Sequence, residues 1–290
     1  MTGRGVSQLE HFWWLNGEPQ SPLSVKDRGL AYGDGLFETM RCENGQIPFL
    51  PLHLARLERG LKALALPASF ESITSQIHSF SKAVTAQAQT PAIIKLIVSR
   101  GVGGRGYAPS ENAQPTVILQ AFVAPLVGED SEGVSLAVSR VALAEQQWLA
   151  GIKHLNRLEY VLAAADVQNR CPSSTALLLN NQGHVIESLH HNLFCVQGGH
   201  VYTPALNLCG VAGVLRRWLL DDLAPELSLP SLVLPITLDT LASFDEVFIG
   251  NSVRGFMPVI QIITEGQKLS FSKGPVCQQL QRAFLAKLAQ

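Results

Sequence analysis

Between residues 174 and 204 the chain reads STALLLN, HVIESL, NLFCVQ and HVYTP, four short apolar runs in close succession. No other feature constrains the fold as much. Runs of this length, bounded by glycine and polar residues, read as successive strands. Further strand-like runs stand at AIIKLIVSRG and PTVILQAFVA, joined by the glycine-rich VGGRGYAPSENAQ, and at VSLAVSRVAL and DEVFIGNS. Helical spacing is confined to a few blocks. LPLHLARLERGLKALAL places leucines at 52, 54, 57, 61 and 64; AGVLRRWLLDDLA follows the strand cluster, and FSKGPVCQQLQRAFLAKLA closes the chain. Strands mixed with segregated helices predict an α+β fold in two lobes, not a doubly wound parallel sheet.

From Trp13 to Pro48 short apolar runs alternate with Asn-Gly and Gly-Asp-Gly punctuation. ENGQ between two such runs predicts a hairpin, because Asn-Gly suits a type I′ turn. Around FVAPLVGEDSEG, residues 122–133, the apolar pattern breaks into Pro, Gly and acids. The expected division is therefore a lobe over 1–122, a linker over 123–133 and a second lobe over 134–290.

Charge narrows the function. A net charge of -1 gives no electrostatic case for nucleic acid or an anionic membrane, so any bound anion must be held by a local cluster. MTGRGVSQLEHFWWLNG carries Glu10 and His11 where a secretory leader needs an apolar core, so none is expected. No run approaches the roughly 20 apolar residues that span a bilayer. Five scattered cysteines without a C-x-x-C pair suit reduced thiols in the cytosol.

One stretch spends charge freely. GIKHLNRLEYVLAAADVQ, residues 151–168, crowds Lys153, His154, Asn156, Arg157 and Glu159 where a strand hands over to a helix. Lys153 stands between Ile152 and Leu155, and a partly desolvated lysine has a depressed pKa and can form a Schiff base. A cation in a helix's first turn also lacks support from the helix dipole. Glu187 follows Val185 and Ile186 in a short strand, where it is either an edge charge or a buried carboxylate for a protonated heterocyclic nitrogen. His190 and His191 face opposite ways on a strand and do not make a metal pair, so no metal is expected. AGVLRR opens a helix after a glycine, and IGNS offers a hydroxyl and free amides, both suited to an anion. Arg56 lies on a helix beside the leucine stripe. GVGGRG at 101–106 precedes Tyr-Ala-Pro and matches neither a Walker loop nor a dinucleotide fingerprint.

Taken in order, YGDGLFET, HLARL, GIKHLNRLE, Glu187 before HNLF, VYTP with GVAGVLRR, and GNSVRGFMPV resemble the fold-type IV pyridoxal phosphate enzymes. That family holds branched-chain and D-amino-acid aminotransferases and aminodeoxychorismate lyases, and the likeness runs from Trp13 to the C-terminus. GIKHLNRLE with SRGVGGRGYAP is similar to the lyase branch. The resemblance implies a smaller N-terminal α/β lobe, a larger β-barrel-like C-terminal lobe, and pyridoxal 5'-phosphate as cofactor. It implies Lys153 as the Schiff-base lysine and catalytic base, and Glu187 as partner of the pyridine nitrogen. Arg56, the Val214 and Leu215 amides and the Ser252 hydroxyl correspond to phosphate ligands, and Asn156 to a group that orients the ring.

The lyase reading implies 4-amino-4-deoxychorismate as substrate, with 4-aminobenzoate and pyruvate as products. Its two carboxylates call for cations, and Arg105, on a loop whose glycines let it close, is the first choice; Arg157 and Arg254 receive no role. An aminotransferase of the same fold is the alternative. D-Amino-acid aminotransferases carry tyrosine where this chain has Phe37, which favours the lyase, whereas Glu38 looks more like the transaminase pattern. A silent scaffold would have lost one of Lys153, Glu187 and Arg56. The family implies a homodimer, and nothing points to nucleic acid or membrane.

Overall fold

The computed structural model describes Leu9 and residues 12–87, 91–128 and 132–290. Most of the segment before Phe12 and residues 129–131 of the expected linker lie outside the described residues. The chain forms two compact units. One comprises the residues through Pro125 together with Ile152–Asn156; the other comprises Leu126–Gly151 and Arg157–Gln290. The short return of residues 152–156 to the first unit has no counterpart in the boundaries read from sequence.

The first unit is built on an antiparallel sheet of β1 (Trp13–Leu15), β2 (Glu18–Pro19), β3 (Gly35–Cys42), β4 (Ala92–Ser99) and β5 (Thr116–Val123), in the order β2-β1-β5-β4-β3. β3 and β4 pair from Gly35↔Ser99 to Cys42↔Ala92 without a break. In β4 alternate side chains, Ile94, Leu96 and Val98, are buried, as the period of a half-buried strand requires. Helix α1 (Arg28–Tyr32) is capped by the Asp27 side chain, which accepts from Gly29 N at 2.8 Å, and ends at Gly33 with φ 63°. Helices α2 (Leu50–Ala63) and α3 (Phe70–Gln87) pack on the sheet with Leu57, Leu61, Ile73, Ile77 and Phe80 buried.

ENGQ makes the turn expected of it. Asn44 and Gly45 both take positive φ, 49° and 81°, and Glu43 pairs with Gln46. No second strand follows, however. Pro51 in the first turn and the leucine period carry the chain directly into α2.

The second unit holds β6 (Val134–Val138), β7 (Thr175–Leu179), β8 (Val185–Ser188), β9 (His191–Gln197), β10 (His200–Pro204), β11 (Ser231–Leu234), β12 (Glu246–Asn251), β13 (Gly255–Ile263) and β14 (Lys268–Ser270). The order β9-β12-β13-β6-β7-β8 closes on itself, because β8 also pairs with β9. This is the barrel-like sheet that the resemblance implied. Leu136, Leu177, Leu193, Val247, Ile249, Val259 and Ile262 fill one core. Helix α4 (Leu158–Arg170) covers β7 through Ala163 and Val167, which pack with Ala176, Leu178 and Ile186. AGVLRRWLLDDLA divides into α5 (Val214–Trp218), a π-helical turn (Leu219–Leu223) and a last short turn to Glu226. The closing helix α6 (Pro275–Leu288) packs on β13 with Leu280 and Phe284 buried.

Candidate active site

Lys153 does not stand in a helix. α4 begins at Leu158, and residues 152–156 run beside β3: Phe37 N donates to Lys153 O at 2.9 Å, Leu155 N donates to Gly35 O at 3.0 Å, and His154 bridges to Leu36. The helix-dipole argument for Lys153 therefore falls. Against its amine in this unit lies the Phe37 ring, whose centre is 4.3 Å from Nζ. Lys95 Nζ lies 5.8 Å from the same ring. The residue singled out as separating the two enzyme classes thus touches the candidate lysine itself.

Asn156 fixes this strand in place. Its Nδ2 donates to Gly33 O at 2.9 Å, at the left-handed end of α1. A Cβ at Gly33 would lie 2.6 Å from Asn156 Oδ1, so both the positive φ and the close approach demand glycine. Asn156 Nδ2 carries two hydrogens, and this backbone carbonyl takes one of them.

Arg56 is buried on α2 and directs Nε and Nη2 at Glu38 Oε1 and Oε2, at 2.8 and 2.5 Å. His53 Nδ1 lies 2.7 Å from Glu38 Oε2. Burial pushes the Glu38 carboxyl up, but Arg56 and His53 outweigh it and hold it at about 2. Glu38 is therefore a fixed anion that orients the Arg56 fork. Its partnership with Arg56 accounts for the acid at position 38.

Arg105 is exposed on the loop after β4, and the loop is anchored. Arg28 Nη1 donates to Gly106 O at 3.0 Å and Nη2 to Tyr107 O at 2.7 Å. Asp34 holds Arg28 Nε at 2.9 Å and Arg100 Nε at 2.8 Å. The glycines that suggested a closing flap surround a segment tied to a buried guanidinium.

In the second unit Glu187 is buried on β8. Its Oε1 accepts from Tyr160 Oη at 2.5 Å, and its Oε2 accepts from Val211 N at 3.1 Å and Asn192 Nδ2 at 3.2 Å. A carboxylate that accepts from such donors is an anion. The edge-charge reading of Glu187 does not hold. Gly213 precedes α5 in extended conformation and no side chain caps that helix, so the Val214 and Leu215 amides meet none there. Ser252 is buried just beyond β12. Arg254 lines a cavity of about 200 Å³ with Phe256, Met257, Lys273 and Gln281.

Taken unit by unit, the chemistry fits pyridoxal phosphate: the first offers an amine and a buried guanidinium, and the second a buried carboxylate suited to a protonated ring nitrogen, uncapped amides and a buried hydroxyl. Among the described residues no group of three His, Cys, Asp or Glu is arranged to hold a metal. Sequence reasoning passed over Glu38 as a partner of Arg56, and missed His53, Tyr160 and Asn192 altogether. Tyr160 reads there as one more residue of an apolar helix.

The sequence profile of the amino-transferase class IV family matches residues 35–262. An aminodeoxychorismate lyase of Vibrio harveyi is 38% identical over 271 residues, covering 93% of this chain and 98% of that protein. A D-alanine aminotransferase of Staphylococcus aureus (strain MSSA476) is 26% identical over 281 residues, covering 93% and 95%. Among solved structures, 4-amino-4-deoxychorismate lyase from Pseudomonas aeruginosa superposes with a TM-score of 0.87 at 39% identity, covering 94% of this chain and 98% of that one. With a profile match over most of its length and full-length relatives of this identity, the chain belongs to the amino-transferase class IV family.

Proposed function

We propose that the chain is a pyridoxal-phosphate-dependent carbon–oxygen lyase that converts 4-amino-4-deoxychorismate to 4-aminobenzoate and pyruvate, in the service of folate synthesis. The observation that carries this reading is the end-to-end likeness to two such lyases, at 38% and 39% identity, above the 30% and 26% of aminotransferases matched over a similar span. Phe37 against Lys153 supports it, since the phenol that marks D-amino-acid aminotransferases is missing at that contact.

In this reading Lys153 takes the cofactor's aldehyde, Glu187 its ring nitrogen, and Arg56, the Val214 and Leu215 amides and the Ser252 hydroxyl its phosphate. Pyridoxal phosphate, when bound, supplies an electron sink at the carbon that loses a proton. Lys153 Nζ, as a neutral amine, removes the proton from the substrate carbon bearing the amine. The enolpyruvyl oxygen departs from the neighbouring ring carbon with its bonding pair and, once protonated, yields pyruvate; the ring becomes aromatic. Phe37 keeps water from one side of the amine, Asn156 holds the lysine strand to the Gly33 turn, and Glu38 keeps the Arg56 fork oriented. Arg105 pairs with a substrate carboxylate.

A homodimer in the cytoplasm completes the proposal. Trp148, Leu158 and Val161 expose 80%, 70% and 60% of their surface, large apolar side chains of the kind a second copy covers. No described helix is long and apolar enough to cross a membrane.

The test is an assay for 4-aminobenzoate and pyruvate, with cofactor added, on the wild-type chain and on Lys153→Ala. Both products form in equal amounts with the wild type and neither forms with the variant. The one feature that favours transamination is Glu38, so D-alanine and a branched-chain amino acid are run beside it with 2-oxoglutarate. Keto acid appearing faster than 4-aminobenzoate overturns the lyase reading.

A further inference from the structure

The contact between Tyr160 and Glu187 does more than fill space. Tyr160 stands in the first turn of α4, and its hydroxyl meets Glu187 Oε1 at 2.5 Å, within the range of charge-assisted O–H···O⁻ bonds. The Arg157 guanidinium lies 4.8 Å from the centre of the same phenol ring. On the other carboxylate oxygen, Asn192 Nδ2 and Val211 N both donate, and Asn192 Nδ2 also donates to Val211 O at 2.9 Å. Both oxygens of Glu187 are thus engaged from fixed directions, one by helix α4 and one by the β9 side chain with the strand before α5.

Donors on a carboxylate lower its affinity for a proton. The phenol cannot surrender its own proton in exchange: burial first, and the Glu187 charge second, push its pKa far up, so it remains a donor at every working pH. Where a carboxylate and a heterocyclic nitrogen share one proton, weakening the carboxylate as a base leaves the proton on nitrogen. A hydrogen bond to a charged group changes such a partition by about tenfold or more.

We propose that Tyr160 is a positioning residue that keeps Glu187 a weak base and aims it, so that the proton shared with the cofactor's ring nitrogen resides on the nitrogen. This rests on the reading of Glu187 as the ring-nitrogen partner. The residue acts through Glu187 and touches neither substrate nor reacting atoms in the proposal. It is a hydroxyl donor on the face of α4 that otherwise packs Ala163 and Val167, which is why its role is invisible in the sequence pattern.

The experiment loads the wild-type chain, Tyr160→Phe and Glu187→Gln with pyridoxal phosphate carrying nitrogen-15 in the ring, and reads the nitrogen chemical shift between pH 6 and 9. The wild type gives a shift near the protonated limit. Glu187→Gln gives the neutral limit, and Tyr160→Phe lies between them, displaced by the tenfold change in partition. A chain carrying ring-fluorinated tyrosine at 160, a stronger donor of nearly the same shape, moves the shift the other way and serves if Tyr160→Phe does not fold. A protonated nitrogen in Glu187→Gln overturns the reading of Glu187 itself, and this inference with it. A neutral nitrogen in Glu187→Gln, with no movement in either variant at 160, overturns the role of Tyr160 alone.

Discussion

Arg56 grips Glu38 with two nitrogens, Nε on one carboxylate oxygen and Nη2 on the other, and both side chains are buried. Removing one member of a buried pair strands the other charge, at a cost of about 3–5 kcal/mol. Glu38→Ala is therefore expected to lower unfolding free energy by that amount in urea denaturation at pH 7. The pair also sets an acid limb. The folded carboxyl sits at about 2, below its ordinary 4.5, so its stabilisation is complete above 4.5 and is lost as pH falls towards 2. That loss amounts to about 3 kcal/mol. Glu38→Gln should show a shallower decline over this window; an unchanged slope refutes the assignment.

His53 adds a second, higher window. Burial lowers its pKa below the ordinary 6.5, the Arg56 and Lys153 charges lower it further, and the pull of Glu38 only partly opposes them. A base whose folded pKa is depressed stabilises fully above 6.5 and loses that stabilisation as pH drops through the folded value. The wild type should therefore weaken between pH 7 and 5 more than His53→Gln does, as read from urea midpoints. Parallel curves would mean that the imidazole has the same pKa folded and unfolded.

These residues also show what could and could not be read beforehand. The strand cluster at 174–204 was legible because each run is short, apolar and bounded by turn residues. Its closure into a ring followed only from the family resemblance and not from the local pattern, since the pairing of β13 with β6 joins residues far apart in the chain. Helix α3 escaped notice because Ser, Thr and Gln dilute it, although Ile73, Ile77, Phe80 and Val84 keep the helical period. In the site, Lys153 announced itself by crowding polar groups among leucines. Glu38 and His53 stand fifteen positions apart on a strand and a helix, and only packing brings them together. Asn192 is one polar residue at the start of an apolar strand, and nothing local says that its amide serves Glu187.

Asn192 can be tested through a residue it does not bond to. A Cβ built on Gly213 would lie 1.9 Å from Asn192 Oδ1, while the Gly213 backbone is ordinary extended chain at φ -63°. Gly213→Ala thus acts by displacing the Asn192 side chain, which donates to Glu187 and to Val211 O. Two hydrogen bonds are at stake, worth about 1 kcal/mol each. The variant should lose about 2 kcal/mol of stability. The same alanine placed in an Asn192→Ala background should cost far less, because the clash is gone. Additive losses in the double-mutant cycle would show that Gly213 matters for another reason.

Arg28 offers the clearest separation of a loop's order from its chemistry. Its guanidinium holds the carbonyls of Gly106 and Tyr107, and its stem packs so closely that a Cβ on Gly103 would come within 2.5 Å of Arg28 Cδ. Lysine in its place keeps a charge for Asp34 but cannot fork across two carbonyls. Arg28→Lys should therefore raise hydrogen exchange over residues 103–108 by about fivefold for each hydrogen bond lost, a bond being worth about 1 kcal/mol. If Arg105 grips a substrate carboxylate from this loop, the same variant raises KM several-fold and leaves kcat nearly unchanged. Arg105→Gln is the control, expected to raise KM while exchange in the loop stays as in the wild type. Should Arg28→Lys loosen the loop and leave KM untouched, Arg105 does not bind the substrate.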